Sequence, residues 1–94
     1  MKDEIAVRIE IRGRVQGVWY RGWTLDQAAR RALRGWVRNR RDGSVEALFI
    51  GAKDKVEDMI EDCREGPPAA RVDSVQRFLA HDDGEVGFKQ LPTE

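Results

Sequence analysis

The order of strand and helix patterns along the chain restricts its fold more than any other feature. Ile5 to Ile11 alternates apolar with polar residues, which predicts a strand with one buried face. Apolar residues then recur at helical spacing, so we expect a helix from roughly Gly22 to Leu33, ended by Gly35. A strand followed by such a helix joins a parallel strand through a crossover connection. The first half of the chain therefore predicts a strand–helix–strand unit.

The second half of the chain repeats this pattern. Asp42-Gly43 is a typical two-residue hairpin turn, and Gly66-Pro67-Pro68 cannot continue a helix. The remaining elements are predicted as strands at Trp36–Asn39 and Ser44–Ile50, a helix at Val56–Cys63, and strands at Val72–Ala80 and Val86–Phe88. The sum is β-α-β-β-α-β plus a short fifth strand. It predicts an α+β, ferredoxin-like two-layer sandwich, a mostly antiparallel sheet with two helices on one face, formed by one domain over residues 1–94.

Composition excludes several classes of protein. The longest uncharged runs, Val15–Tyr20 and Ala47–Ala52, are six residues each, too short for a membrane-spanning helix. Met1 to Glu4 lacks the apolar stretch of a signal peptide, so we expect a cytoplasmic monomer with no membrane partner. One cysteine, Cys63, and one histidine exclude an intramolecular disulfide and a metal cluster built from those residues. The sequence therefore predicts chemistry without a metal.

The net charge is zero, but the two signs are unevenly distributed along the chain. From Arg8 to Arg41 ten arginines stand against two acids, and from Ala52 to Glu94 six basic residues stand against eleven acids. A basic half in a neutral chain favours a local anion site over a surface that coats nucleic acid. We therefore expect no nucleic-acid partner.

The segment Gly13–Arg21 joins the first strand to the first helix and carries the candidate anion site. A loop that ends at a helix N-terminus offers unpaired backbone N–H groups and the positive end of the helix dipole. Gly17 can adopt a positive φ, which lets successive amides turn toward an anion. Arg21 adds a cation beside that positive end, which is unfavourable unless an anion such as phosphate lies between them. The alternative is an ordinary loop with a solvated Arg21.

Asn39 is the second candidate residue, at the end of the second predicted strand. The crossover makes strands one and two parallel, so their ends lie at the same edge of the sheet. With one strand between them these ends are roughly 10 Å apart, a gap that holds a phosphate group and a water. The alternative is an asparagine that only precedes a turn.

Two blocks of the sequence resemble the acylphosphatase family in order and spacing. The first is Gly13-x-Val15-Gln16-Gly17-Val18-x-Tyr20-Arg21, and the second is Gly35-Trp36-Val37-x-Asn39-x-x-Asp42-Gly43-x-Val45-Glu46. Gly66–Asp73 is similar to the family's junction between the second helix and the next strand. The similarity extends over nearly the whole chain.

The resemblance implies a small hydrolase that cleaves acyl phosphates, which are carboxylic–phosphoric anhydrides, to a carboxylate and inorganic phosphate without a cofactor. It places the family's phosphate-binding arginine on Arg21 and its water-positioning asparagine on Asn39. The implied phosphate-binding loop consists of Gln16, Gly17, Val18, Trp19 and Tyr20.

The chain departs from the family pattern at several positions. Tyr20 replaces the usual phenylalanine, and Gly22 stands where a larger residue is common. Arg31-Ala32 replaces a leucine-glycine pair, and the last strand, around Phe88, is short. Trp19 occupies a variable position, where it either walls the acyl side of the pocket or is simply exposed on the loop.

Other function classes are compatible with the same order of elements. A regulatory or accessory domain would bind phosphate or another anion on this fold but turn over slowly. An RNA-recognition module needs stacking aromatic residues on its two central strands, whereas Ile5–Ile11 has none and the third strand offers only Phe49. A metal-carrying domain of this fold would need a Cys-x-x-Cys loop after the first strand, which the sequence lacks.

Overall fold

The computed structural model describes residues 3–94 and contains two helices and one five-stranded sheet. In chain order the elements are β1 (Glu4–Arg14), α1 (Tyr20–Arg30), β2 (Arg34–Asn39), β3 (Val45–Ala52), α2 (Lys53–Cys63), β4 (Arg71–Leu79) and β5 (Phe88–Gln90). The strand order across the sheet is β4-β1-β3-β2-β5. Every pair of neighbours is antiparallel except β2 and β5, which are parallel. The predicted α+β sandwich is confirmed.

The core lies between the sheet and the two helices. The alternating residues of β1 divide between its faces, with Val7, Ile9 and Ile11 buried toward the helices. α2 contributes a buried stripe at helical spacing, which ends in Cys63. Burial raises the pKa of the Cys63 thiol to about 12, so this group stays protonated and acts as a small apolar core residue.

The first helix runs from Tyr20 to Arg30, so the prediction of Gly22–Leu33 is wrong at both ends. It begins earlier because Trp19 adopts a left-handed conformation, with φ of 67°, and serves as the N-cap residue without a side-chain cap. This early start places Arg21 in the first helical turn, beside the positive end of the helix dipole.

The helix ends at a left-handed alanine and not at the predicted glycine. Ala32 has φ of 55°, and the N–H of Leu33 donates to the carbonyl of Ala28 at 3.0 Å. These are the features of a Schellman motif, in which glycine is the usual left-handed residue. Gly35 lies inside β2, where a Cβ atom would approach the carbonyl oxygen of Leu48 to 1.9 Å.

The sheet face away from the helices carries a network of ion pairs around Glu46, on the central strand. Glu46 is only 4% exposed, and its carboxylate accepts hydrogen bonds from Arg8, Arg38 and Arg40 at 2.8–2.9 Å. Burial disfavours the charge, but the hydrogen bonds from Arg38 and Arg40 outweigh it and lower the pKa of Glu46. We call this group the Glu46 network.

The topology brings two distant segments to one edge of the sheet. β1 and β2 are both antiparallel to β3, which lies between them, so they run in the same direction. Ile11 lies opposite Val45, and Val45 lies opposite Asn39. The loop that follows β1 and the end of β2 therefore share this edge, as the crossover leads one to expect. Within residues 3–94 no helix combines the length and apolar character needed to cross a membrane.

Candidate active site

A cavity of about 300 Å³ opens at this edge, between the loop after β1, the first turn of α1 and the end of β2. It is lined by Val15, Gln16, Gly17, Trp19, Tyr20, Arg21, Gly22, Asn39 and Gln90. The structure thus brings together six of the seven residues that the sequence singled out. The seventh, Val18, does not line the cavity, and its side chain is buried in the hydrophobic core.

The backbone of the loop presents a run of unused hydrogen-bond donors. Left-handed conformations occur at Gly17, with φ of 75°, and again at Trp19, and such a backbone turns N–H groups to one side. The seven N–H groups from Gln16 to Gly22 have no acceptor among residues 3–94, and the first helical bond is from Trp23 to the carbonyl of Trp19. An isolated helix end leaves four such groups, so this loop extends the donor set beyond the usual number.

Arg21 differs from most other arginines of the protein because it has no acidic partner. Within residues 3–94 ten arginines form ion pairs, all with N–O distances of 3.5 Å or less. Arg14, Arg21 and Arg41 do not, and of these three only Arg21 lines the cavity. A half-buried guanidinium beside unused N–H groups produces a locally positive site without a counter-charge.

Asn39 supplies an unused acceptor on the opposite wall. Its side chain is 8% exposed, and its Oδ1 atom has no hydrogen-bond partner within the described chain. A buried, unpaired amide oxygen is costly in a structural role and is typical of a group that meets a ligand or a water. Its backbone is fixed, because its carbonyl accepts from the N–H of Glu94 at 3.1 Å.

Gln16 connects the loop to the other half of the site. Its Nε2 atom donates to the carbonyl of Arg40 at 2.7 Å and to that of Ser44 at 2.9 Å. Both acceptors follow Asn39 closely in the chain, in the turn between β2 and β3. The side chain of Gln16 is therefore committed to holding the loop against this turn, and its backbone N–H is what it offers to a ligand.

Tyr20 is a structural residue of the cavity wall and not an acid. It is buried, and its hydroxyl donates to the carbonyl of Cys63 at 2.5 Å, which provides the partner that the extra hydroxyl requires. Burial raises the pKa of the phenol, so it stays neutral. Neither a carboxylate nor an imidazole belongs to the cavity lining, and within residues 3–94 no group of three or more acidic, histidine or cysteine residues could hold a metal.

Comparison with known proteins identifies the family. The acylphosphatase family model matches residues 7–90. The chain belongs to the acylphosphatase family. It is 61% identical to the acylphosphatase of Nitrobacter hamburgensis over 97% of this chain and 98% of that protein. It is 56% identical to the acylphosphatase of Rhizorhabdus wittichii over 97% of this chain and 92% of that protein. The solved structure of an acylphosphatase from Coxiella burnetii has a TM-score of 0.91 at 30% identity, and the match covers 95% of this chain and 94% of that one.

Among the residues that line this candidate site, Gln90 is the one that sequence reasoning missed. β5 was expected at Val86–Phe88 but lies at Phe88–Gln90, where Gln90 pairs with Val37 of β2 and reaches the rim of the cavity. An edge strand of three residues has too short an alternation to be placed to the residue from its sequence. Its position is determined by the parallel pairing with β2, which the sequence does not show.

Proposed function

We propose that this acylphosphatase hydrolyses acyl phosphates to a carboxylate and inorganic phosphate, with Arg21 and the loop amides binding the phosphoryl group and Asn39 positioning water. The observation that supports this most is the meeting of unused donors and one unused acceptor in a single cavity: six lining residues whose N–H groups lack an acceptor among residues 3–94, the guanidinium of Arg21 and the Oδ1 atom of Asn39. A tetrahedral oxyanion and a water would together satisfy all three kinds of group.

The positive charge of Arg21 and hydrogen bonds directed at the phosphoryl oxygens stabilise the phosphoryl group. The N–H groups of Gln16 to Tyr20 and the guanidinium of Arg21 donate to its oxygens, which carry the spreading negative charge of the transition state. The guanidinium can form two parallel hydrogen bonds to one phosphate. Because the Gln16 side chain holds the loop against the turn between β2 and β3, the loop N–H groups need little reorganisation during the reaction.

Asn39 holds the attacking water without taking its proton. Its Oδ1 atom accepts a hydrogen bond from the water and directs an oxygen lone pair at phosphorus, in line with the bond that breaks. An amide is not a base at neutral pH, so the proton passes to a phosphate oxygen of the substrate or to solvent. The leaving group is a carboxylate, which needs little protonation as it departs, and this is consistent with a cavity lined without a carboxylate or an imidazole.

Hydrolysis of benzoyl phosphate in excess chelator tests this proposal, with wild type, Arg21→Ala and Arg14→Ala compared side by side. Arg14 is the matched control, because it also lacks an acidic partner but does not line the cavity. We expect metal-independent turnover by wild type and by Arg14→Ala, and a loss of about a hundredfold or more in kcat/KM for Arg21→Ala. An equal loss in both variants would contradict a specific role for Arg21.

Phosphate binding separates the enzyme from a regulatory or accessory domain that only binds anions. At ten times its Kd, phosphate should stabilise the wild type by about 1.4 kcal/mol, seen as a higher Tm, and this stabilisation should be lost in Arg21→Ala. If phosphate raises the Tm of a wild type that hydrolyses no acyl phosphate, the anion site stands and the catalytic proposal fails.

We also propose that residues 1–94 act as one domain and as a monomer in the cytoplasm. A single hydrophobic core cluster joins both helices to the sheet, as expected for one domain, and one copy of the chain is enough to form the cavity. Cys63 is an unpaired, buried thiol, which suits a reducing compartment. Light scattering at micromolar concentration tests the oligomeric state, and a dimer mass would contradict it.

A further inference from the structure

We propose that the indole of Trp19, lying over Gly22, is a binding face for the acyl group of the substrate and makes this enzyme prefer aromatic acyl phosphates to acetyl phosphate. This inference rests on the proposed function and assigns a substrate class to it. It is carried by three observations: the exposure of Trp19, the contact between Trp19 and Gly22, and the gradient of burial across the cavity.

Trp19 is a large apolar side chain held at the mouth of the cavity. It is 66% exposed although it lines the cavity together with Arg21. Its left-handed backbone, with φ of 67°, is one that bulky residues rarely adopt, so the loop holds the indole in place against a local preference. An exposed tryptophan in a strained conformation beside a phosphate site is unexplained by packing alone and fits contact with a ligand.

Gly22 provides the surface on which the indole lies. A Cβ atom at Gly22 would be 2.1 Å from Nε1 and 2.4 Å from Cε2 of Trp19, so any side chain there would displace the ring. The helical conformation of Gly22 does not itself require glycine, and glycine weakens the first turn of a helix. The absence of a side chain at this position is explained by the ring that it accommodates.

The reaction geometry directs the acyl group toward this ring. In-line displacement places the attacking water and the leaving group on opposite sides of phosphorus. Asn39, which holds the water, is almost fully buried, so the water lies at the floor of the cavity and the carboxylate leaves toward its mouth. Trp19 lies at that mouth, where the only other exposed lining side chain with a large contact surface is the polar Gln90. An aromatic ring can stack on the indole, whereas a methyl group offers little surface for contact.

The ratio of kcat/KM for benzoyl phosphate to that for acetyl phosphate tests the inference. We expect Trp19→Ala to lower this ratio by about three- to tenfold, as the loss of one aromatic contact predicts, and Trp19→Phe to restore part of it. If the wild type hydrolyses both substrates and Trp19→Ala lowers both values by the same factor, or leaves the ratio unchanged, the acyl-binding role is wrong while the proposed function stands. If the wild type hydrolyses neither, the proposed function itself fails.

A double-mutant cycle between Trp19 and Gly22 tests whether the indole causes the preference for benzoyl phosphate over acetyl phosphate. Gly22→Ala should lower the ratio in the wild-type background, because the new methyl group displaces the ring. In the Trp19→Ala background there is no ring to displace, so Gly22→Ala should have no further effect on the ratio. The same substitution should raise the Tm of Trp19→Ala, since alanine favours the helix more than glycine does. An equal effect of Gly22→Ala on the ratio in both backgrounds would overturn the inference.

Discussion

Arginine has opposite environments in the Glu46 network and in the cavity. In the Glu46 network three guanidinium groups share one buried carboxylate, and two of them also lie over aromatic rings, Arg8 over Phe78 and Arg38 over Trp36. In the cavity Arg21 has no carboxylate of residues 3–94 within ion-pair distance, and it shares the lining with residues whose N–H groups are unused. The presence or absence of a carboxylate partner therefore distinguishes the arginines that stabilise the fold from Arg21, which we propose to bind a ligand.

The two surfaces also differ in how their polar groups are satisfied. The carboxylate of Glu46 is nearly buried and has three donors, so its charge is compensated within the fold. The cavity keeps its donors and the Oδ1 atom of Asn39 unpaired. Because unpaired buried groups cost free energy, the cavity lowers the stability of the fold, as the proposed function of this site would require.

The largest expected effect comes from placing a carboxylate in the cavity. Asn39→Asp keeps the shape of the side chain but adds a negative charge that repels the phosphoryl group and can pair with the free donors. We expect kcat/KM for benzoyl phosphate to fall by about a hundredfold or more, with no loss of Tm. Asn39→Ala, which removes the water acceptor without adding charge, is the comparison variant. Near-normal turnover of Asn39→Asp would contradict the positioning role of Asn39.

Removing the carboxylate from the Glu46 network should have the opposite pattern. Glu46→Gln leaves three neighbouring arginines without their shared charge, and because these arginines are partly exposed we expect a loss of about 2 kcal/mol in the free energy of unfolding. Urea unfolding measures it, with Glu61→Gln as the control on an exposed helical pair. A large fall in kcat/KM for Glu46→Gln, under conditions where the variant is still folded, would contradict the assignment of the Glu46 network to stability alone.

Acid should weaken the charge pairs of the fold through their carboxylates. Hydrogen bonds from Ser44 hold the pKa of Asp42 at about 2, and the hydrogen bond from Arg34 does the same for Asp82. Because these folded-state values and that of Glu46 lie below the unfolded ones of about 4, the stabilisation is complete above pH 4–5 and is lost as the pH falls toward 2. The Tm difference between wild type and Glu46→Gln should shrink over the same range. A difference that stays constant down to pH 2 would contradict this account.

The smallest expected effect concerns the second left-handed residue that is not glycine. Ala32, at the end of α1, has φ of 55° but does not line the cavity. Ala32→Gly should relieve backbone strain and raise the free energy of unfolding by up to about 1 kcal/mol, measured by urea unfolding. We expect the strain at Trp19 to serve the site and the strain at Ala32 to serve no function. If Ala32→Gly lowers kcat/KM, this contrast between the two residues is wrong.

The sequence predicted the types and order of the elements but not the ends of the first helix. Periodicity identifies α1 because one stripe faces the core, and the two glycines expected to bound it were the wrong markers. Trp19 begins the helix and Ala32 ends it, both in a conformation that local rules assign to glycine or asparagine. Rules based on single-residue preferences would not place a tryptophan or an alanine in this conformation, so they could not predict these two ends.

The candidate site was predictable where topology alone determines proximity. The right-handed crossover was enough to bring the predicted Arg21 and Asn39 to one edge of the sheet. The contribution of Gln90 depends on the pairing of a parallel edge strand with a distant part of the chain, which neither spacing nor composition encodes. The position of the Trp19 ring depends on the missing side chain of Gly22, three residues further on, and the sequence alone does not show that the two are in contact.

The two hydrogen bonds of the Gln16 amide have a consequence for how fast and how selectively the site is occupied. They hold the loop that carries the candidate anion donors against the turn that follows Asn39 and so connect the two halves of the cavity before a ligand binds. A protein whose binding-competent form is already dominant loses none of its affinity to a conformational pre-equilibrium. Phosphate should therefore associate in one kinetic phase, at a rate set by diffusion and by the local positive potential. The ordering of the loop is completed when the chain folds, before any ligand arrives.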